Sequence, residues 1–255
     1  MTLAFDSDGA REIERLYSTP DIVRQRAEVL ALLAPRPGER ILDVGSGPGF
    51  LLEDLAAAVG PDGAAHGIDP SPAMNALAAR RAGALPAVTL ALGTAESLPY
   101  PDGDLDAVVS TQVYEYVPDI PRAFAELRRV VRPGGRVLLL DTDWDSVVWH
   151  VADRDRHARV MAAWEEHLVH PHLPATWARR LADAGFRVTA QTAIPILNPR
   201  FDENSYSALI ARTIAAYVAN RGGLTAADGE AWLADVRGGD YFFSMNRFCV
   251  LAEPE

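Results

Sequence analysis

Residues 41–49 read Ile-Leu-Asp-Val-Gly-Ser-Gly-Pro-Gly, an apolar run that delivers Asp43 into a glycine turn. Missing side chains let the backbone approach a bound group closely, and a helix starting after the turn offers free N–H groups. The spacing narrows the ligand. A dinucleotide pyrophosphate calls for G-x-G-x-x-G, yet Phe50 stands where the third glycine or alanine would be. The spacing here is G-x-G-x-G, with the Asp43 carboxylate two residues ahead of Gly45. A carboxylate there suits a ligand with an ammonium group rather than a pyrophosphate. A second carboxylate, Asp69, closes the apolar run in His66-Gly-Ile-Asp-Pro-Ser71. From that position it can accept both hydroxyls of a ribose, a device that nicotinamide enzymes share, so Asp69 indicates a nucleoside without saying which.

Such residues need elements to hold them. A helix is expected over 21–33, after Pro20 and before Pro35-Arg-Pro-Gly38. A strand over 40–44 follows, then a helix to about 59, ended by Gly60-Pro-Asp-Gly63. Further strands read at 65–68, 88–92, 105–110 and 136–141, with helices at 72–81 and 120–131 and a break at Arg132-Pro-Gly-Gly135. The strand runs are short and almost continuously apolar, which suits burial on both faces. Strands alternating with helices at this spacing predict a doubly wound, parallel α/β sheet. After 141 the rhythm changes. Residues 144–184 read as mostly helical, 185–196 as a sixth strand, 205–220 and 225–236 as helices, and 241–252 as a seventh strand. No linker or repeat divides the chain, so one domain is expected.

Five motifs stand in order: Leu-Asp-Val-Gly-Ser-Gly-Pro-Gly, Gly-Ile-Asp-Pro-Ser-Pro-Ala-Met, Gly-Thr-Ala-Glu-Ser-Leu-Pro-Tyr, Leu-Asp-Ala-Val-Val-Ser and Val-Val-Arg-Pro-Gly-Gly-Arg. Together, over 36–141, they resemble class I S-adenosylmethionine-dependent methyltransferases, in the branch of the ubiquinone and menaquinone biosynthesis enzymes (methyltransferase type 11). The resemblance implies a Rossmann-like, seven-stranded sheet with its last strand antiparallel and helical insertions after strands 5 and 6. It divides the single domain 1–255 into a helical lid (1–35), a cofactor-binding core (36–141) and substrate-side insertions (142–184 and 197–239). It implies that Asp43, Gly45 and Gly47 surround the methionine end of the cofactor, and that Asp69, followed by Pro70, holds the ribose. Thr94, Ala95 and Glu96 would flank the adenine with Met74 packed on it, and Thr111 and Gln112 would face the sulfonium. Arg26 could reach the cofactor carboxylate, and Tyr17 precedes the sheet as the lid residues of similar enzymes do.

Methyl transfer from a sulfonium is an in-line displacement, so the protein's task is position, desolvation and a base where the acceptor must lose a proton. Similar enzymes often carry Leu-x-His or His-His where this chain has Val113-Tyr-Glu-Tyr-Val-Pro118. Tyr114 stands at a usually aliphatic position, is a candidate for the acceptor pocket, and joins Tyr17 and His150 as a catalytic candidate. At the end of the fifth strand, Asp141-Thr-Asp-Trp-Asp-Ser-Val-Val-Trp-His150 is acidic and aromatic for a loop. Asp143, Trp144 and His150 are expected to contact the acceptor, with His150 as general base. Arg200, Asn204, Tyr206, Tyr241, Phe242 and Asn246 are unranked candidates for closing the pocket. His167, His170 and His172 invite a metal reading, but Pro171 and Pro174 disrupt the ligand geometry, so no metal site is expected.

Bulk properties exclude other classes. The 255-residue chain has a formal net charge of −11, and all 24 of its basic residues are Arg. That balance disfavours a nucleic-acid partner. The lack of Lys excludes a Schiff-base lysine and a P-loop lysine. The single cysteine, Cys249, allows no internal disulfide or multi-thiolate site and reads as a small buried hydrophobe. No membrane span or signal peptide is read, so a cytoplasmic address is the expectation. The acceptor is expected to be a small molecule. Two other readings remain at this stage: an NAD(P)-linked oxidoreductase, and a noncatalytic adenosylmethionine-binding protein.

Overall fold

The computed structural model describes residues 7–255. The expected lid over 1–35 is therefore described from residue 7 onward. Two helices come first, α1 (Ser7–Tyr17) and α2 (Pro20–Leu33). A regular alternation follows: β1 (Arg40–Val44), α3 (Phe50–Val59), β2 (Ala64–Asp69), α4 (Pro72–Ala82), β3 (Val88–Leu92), β4 (Leu105–Thr111), α5 (Ile120–Val130) and β5 (Val131–Thr142). The remainder holds β6 (Val148–Trp149), α6 (Arg154–Glu165), α7 (Trp177–Asp183), β7 (Phe186–Asn198), α8 (Tyr206–Val218), α9 (Ala226–Arg237) and β8 (Phe243–Pro254). Among the described residues no helix is long and apolar enough to cross a membrane.

The strand order is β3-β2-β1-β4-β5-β8-β6, with β7 paired to the other edge of β8. Strands β1 to β5 run parallel, and β8 runs antiparallel to both β5 and β7. The expected seven strands with an antiparallel last strand are all present. Alternation along β1 explains the continuous apolar runs. Ile41 packs with Val29, Leu33, Leu52 and Leu55 on one face, while Leu42 and Val44 pack with Phe124 and Leu127 on the other. Caps set the helix starts: Ser71, Asp119 and Asp153 each accept a backbone N–H three residues on.

Two boundaries differ from expectation. Residues 132–135 do not end the helix as a separate turn but form a bulge inside β5, where the register passes from Leu105↔Val131 to Ala107↔Arg136. Gly135 is needed there, since a Cβ would stand 2.7 Å from the Asp106 carbonyl oxygen. The second difference is an eighth, two-residue strand inside a stretch expected to be helical. After Thr142 the chain leaves the edge of β8, makes a single 3-10 turn (Trp144–Ser146), and returns to pair Val148↔Ser244 and Trp149↔Phe243. The excursion is stitched to a third core, formed by Trp149, Trp164, Trp232, Ile210, Ile214 and Met245 beneath α6, α8 and α9.

Candidate active site

The carboxyl ends of β1, β2 and β4 converge on the glycine turn. Gly45, Gly47 and Gly49 all have positive φ, at 72°, 51° and 82°. Gly45 is required twice over, because a Cβ would lie 2.2 Å from Cγ2 of Val113. Asp69 organises the turn as well as facing the cavity beside it. Its Oδ2 accepts from the Gly47 N–H (2.9 Å) and its Oδ1 from the Ser71 N–H (2.8 Å). Burial raises the Asp69 carboxyl above its ordinary range, opposed by those two N–H donors. Asp43 is 2% exposed, and its Oδ1 has no partner among the described residues. Burial, and then the nearby Asp69, push its carboxyl well up.

A cavity of about 470 Å³ opens on this turn. Gly45, Gly47, Asp69, Pro70 and Met74 line it on one side, Thr94, Ala95 and Glu96 on another, and Thr111 and Gln112 at its base. The volume falls in the range of ordinary small-molecule sites. Asp43 and Arg26 line an adjoining cleft of about 50 Å³. Arg26 is already matched there, with its Nε 2.8 Å from Asp54 Oδ2. Gln112 adopts φ 60°, accepts from the Thr142 hydroxyl (2.8 Å), and leaves its buried Nε2 without a partner.

A third cavity, of about 180 Å³, lies behind Tyr17 and Gln112, which line all three spaces. Its walls come from α1, α6, α8, β8 and the 3-10 turn at 144–146, including Leu16, Trp144, Trp164, Tyr206, Ile210 and Arg247. Burial pushes the Tyr17 hydroxyl up to about 12, so it stays protonated near neutrality. Glu115 also faces this space at 1% exposure. Its Oε2 accepts from Trp144 Nε1 (2.9 Å), and no described residue donates to its Oε1. Burial pushes the Glu115 carboxyl up to about 7, opposed by the Trp144 donor and the charge of Arg247. Its neighbour Asp141 is raised well above the ordinary range by burial and by Glu115.

Several expected site residues are placed elsewhere. His150 is exposed and lines none of these cavities. The reason is the period of two in β6: Trp149 turns inward onto Phe243 (4.5 Å between centroids), which sends Val148 and His150 outward. Asp143 caps the 3-10 turn and bonds His172 Nδ1 at 3.0 Å, outside the cavities. Tyr114 is fully buried against Phe124 in the core and lines none of these cavities, and burial raises its hydroxyl. Of the six closing candidates, Tyr206 alone lines one of these three cavities; Arg200 and Asn204 are exposed, and Tyr241 donates to the Ser207 hydroxyl. Burial holds the His167 ring down to about 4 beside Trp164 and Tyr116. Cys249 is buried and unpaired, its thiol pushed up to about 12 by burial.

Glu115, Tyr116, Trp164 and Arg247 were not singled out by sequence reasoning. Arg247 had a legible signal. It occupies an inward position in the alternation Phe243, Met245, Arg247, Cys249, where an apolar residue is expected. Glu115 had none, because its 3-10 turn (Tyr114–Tyr116) shows no periodicity.

Residues 42–139 match the model of a methyltransferase domain. Over 96% of its length the chain is 33% identical to an uncharacterized 37.1 kDa protein in transposon TN4556 of Streptomyces fradiae, 71% of which is covered. The chain belongs to the methyltransferase-domain family. It is an S-adenosylmethionine-dependent methyltransferase, which sets the nicotinamide reading aside. Demethylmenaquinone methyltransferase of Symbiobacterium thermophilum is 43% identical over 42% of this chain and 43% of its own length, so the likeness to it spans less than half of either protein. Among solved structures, the [4+2]-cyclase SpnF superposes with a TM-score of 0.61 at 25% identity, covering 91% of this chain and 80% of that one. A geranyl diphosphate methyltransferase in complex with SAM gives 0.58 at 17% identity, covering 91% and 85%, a likeness of fold alone.

Proposed function

We propose that the methyl acceptor is a small molecule seated in the 180 Å³ cavity, that transfer runs in line across the boundary formed by Tyr17 and Gln112, and that Glu115 receives the acceptor's proton. The observation that carries this reading is the shared wall: Ile13, Tyr17, Gln112 and Tyr116 line both the large cavity and the one behind it.

The residues around the large cavity fit S-adenosylmethionine. The buried, unpartnered Asp43 Oδ1 suits the ammonium group of its methionine end. In this reading Asp69 and Pro70 take the ribose, Met74, Thr94, Ala95 and Glu96 the adenine, and Gly45, Gly47, Thr111 and Gln112 the methionine and sulfonium region. When bound, the cofactor supplies a methyl group on a sulfonium, the electrophile of the reaction. The protein supplies placement and a dry surround. Helix α1 closes the acceptor side with Ile13, Leu16 and Tyr17, which is the lid role proposed for the N-terminal segment. The 142–184 and 197–239 insertions contribute Trp144, Trp164, Tyr206 and Ile210 to the acceptor wall. Glu115 replaces His150 as proton acceptor because it faces the cavity and is held near neutrality.

Asp69→Ala tests the cofactor side. The variant is expected to weaken S-adenosylhomocysteine binding by about 1.5–3 kcal/mol, the scale of charge-assisted hydrogen bonds. Unchanged affinity by titration calorimetry would remove Asp69 from the site. Transfer of a labelled methyl group to one component of a metabolite extract is the expected outcome for the acceptor side. Labelling only of macromolecules would overturn the small-molecule reading, and tight cofactor binding with no transfer to the extract would overturn the seating of such an acceptor in this cavity.

A further inference from the structure

Among the described residues Arg247 is the one cation that lines the acceptor cavity, and no carboxylate pairs with it. It sits in the middle of the sheet, opposite Thr142 on β5 and Ile194 on β7, and is 3% exposed. Its guanidinium carbon lies 4.9 Å from the centre of the Tyr206 ring. Its Nε–H has no acceptor, and among the described residues no carboxylate approaches within the 4.0 Å of an ion pair. Glu115 and Asp141 feel its field, yet neither closes on it.

A guanidinium does not escape the cost of burial by losing its proton. Burying such a charge without an ion-pair partner is unfavourable, and a bound anion would offset that cost. A fork of parallel N–H groups is the geometry that a carboxylate matches with two bonds. Arg247 is the one cation among the residues lining this space; Glu12 and Glu115 contribute carboxyl groups, and Ile13, Leu16, Trp144, Trp164 and Ile210 are apolar or aromatic walls against which a flat ligand can lie.

We propose that the acceptor is a small, flat, anionic molecule whose carboxylate docks on Arg247. This rests on the reading of the 180 Å³ cavity as the acceptor site. The carboxylate has one competing source, the methionine end of the cofactor, because Arg247 also borders the 50 Å³ cleft beside Asp43. The acceptor is favoured because Arg247 borders the larger aromatic cavity together with Glu115, which the cleft does not include.

The test titrates the S-adenosylhomocysteine-loaded protein with benzoate and with benzamide, which share a shape and differ in charge. The wild type is expected to prefer benzoate by about tenfold or more. Arg247→Gln is expected to abolish the preference while changing S-adenosylhomocysteine affinity by less than about twofold. Equal binding of the two probes, or binding of neither at millimolar concentration, overturns the proposal. So does an Arg247→Gln variant that loses cofactor affinity and keeps its preference for benzoate, since the guanidinium then serves the cofactor carboxylate. A variant that fails to fold leaves the wild-type ratio to decide. Failure of the wild type to bind S-adenosylhomocysteine at all would instead sink the assignment of the cofactor cavity.

Discussion

Glu115→Gln is expected to lower kcat by about 10²–10⁴-fold on the acceptor that labelled transfer identifies, with S-adenosylhomocysteine affinity unchanged. Gln keeps the size of the side chain and an oxygen to accept from Trp144 Nε1, so the cavity wall is preserved. What it loses is the ability to take a proton. The pH profile separates this role from a structural one. In the wild type kcat should rise as pH climbs through about 7, where the Glu115 carboxyl gives up its proton, and level off above. In the variant that limb should vanish. The sign for stability runs the other way. A carboxyl whose folded pKa lies above its ordinary 4.5 binds more protons folded than unfolded between those values. Wild-type stability therefore declines from pH 4.5 towards 7, and Glu115→Gln is expected to be the more heat-resistant protein above that window. An unchanged kcat, or a surviving limb in the variant, would remove Glu115 from proton transfer.

Gly45→Ala is expected to destabilise the protein by about 3–4 kcal/mol, adding the strain of a left-handed residue to an unrelieved overlap. The overlap is with a β-branched side chain rather than the end of a flexible one: the new Cβ would stand 2.2 Å from Val113 Cγ2 and 3.2 Å from its Cβ. Val113 cannot simply retreat, since its N–H donates to Asp141 Oδ1 at 2.8 Å and Gln112 before it holds φ 60°. Displacing it would carry the boundary between the two larger cavities with it. Gly47→Ala is the control. Its Cβ would meet nothing closer than 3.7 Å, from Tyr17, and the backbone at φ 51° costs only about 1 kcal/mol. At roughly 2–4 °C per kcal/mol for a chain of this size, the two midpoints should separate by several degrees. Equal losses would show that the Gly45–Val113 contact relaxes freely.

The sequence by itself was enough for everything that local periodicity encodes. The strands at 40–44 and 88–92 carry the same bounds in the structure, and the glycine turn, Asp69 and the 93–96 loop meet on one cavity. A parallel sheet buried on both faces writes itself as short apolar runs, and a tight turn of positive φ writes itself as glycine, so each is readable without knowing its neighbours. Only the tertiary structure assembles the cavity proposed for the acceptor. Glu115, Trp144, Trp164 and Arg247 lie on four separate elements, and only the excursion of residues 143–147 off β8 brings the Trp144 indole onto the Glu115 carboxylate. One two-residue strand also reversed the reading of His150, turning it outward as Trp149 turns into the core. Pairing partners of that kind depend on packing across about a hundred residues of chain, as in Trp149↔Phe243, and no window along the sequence contains both sides of the contact.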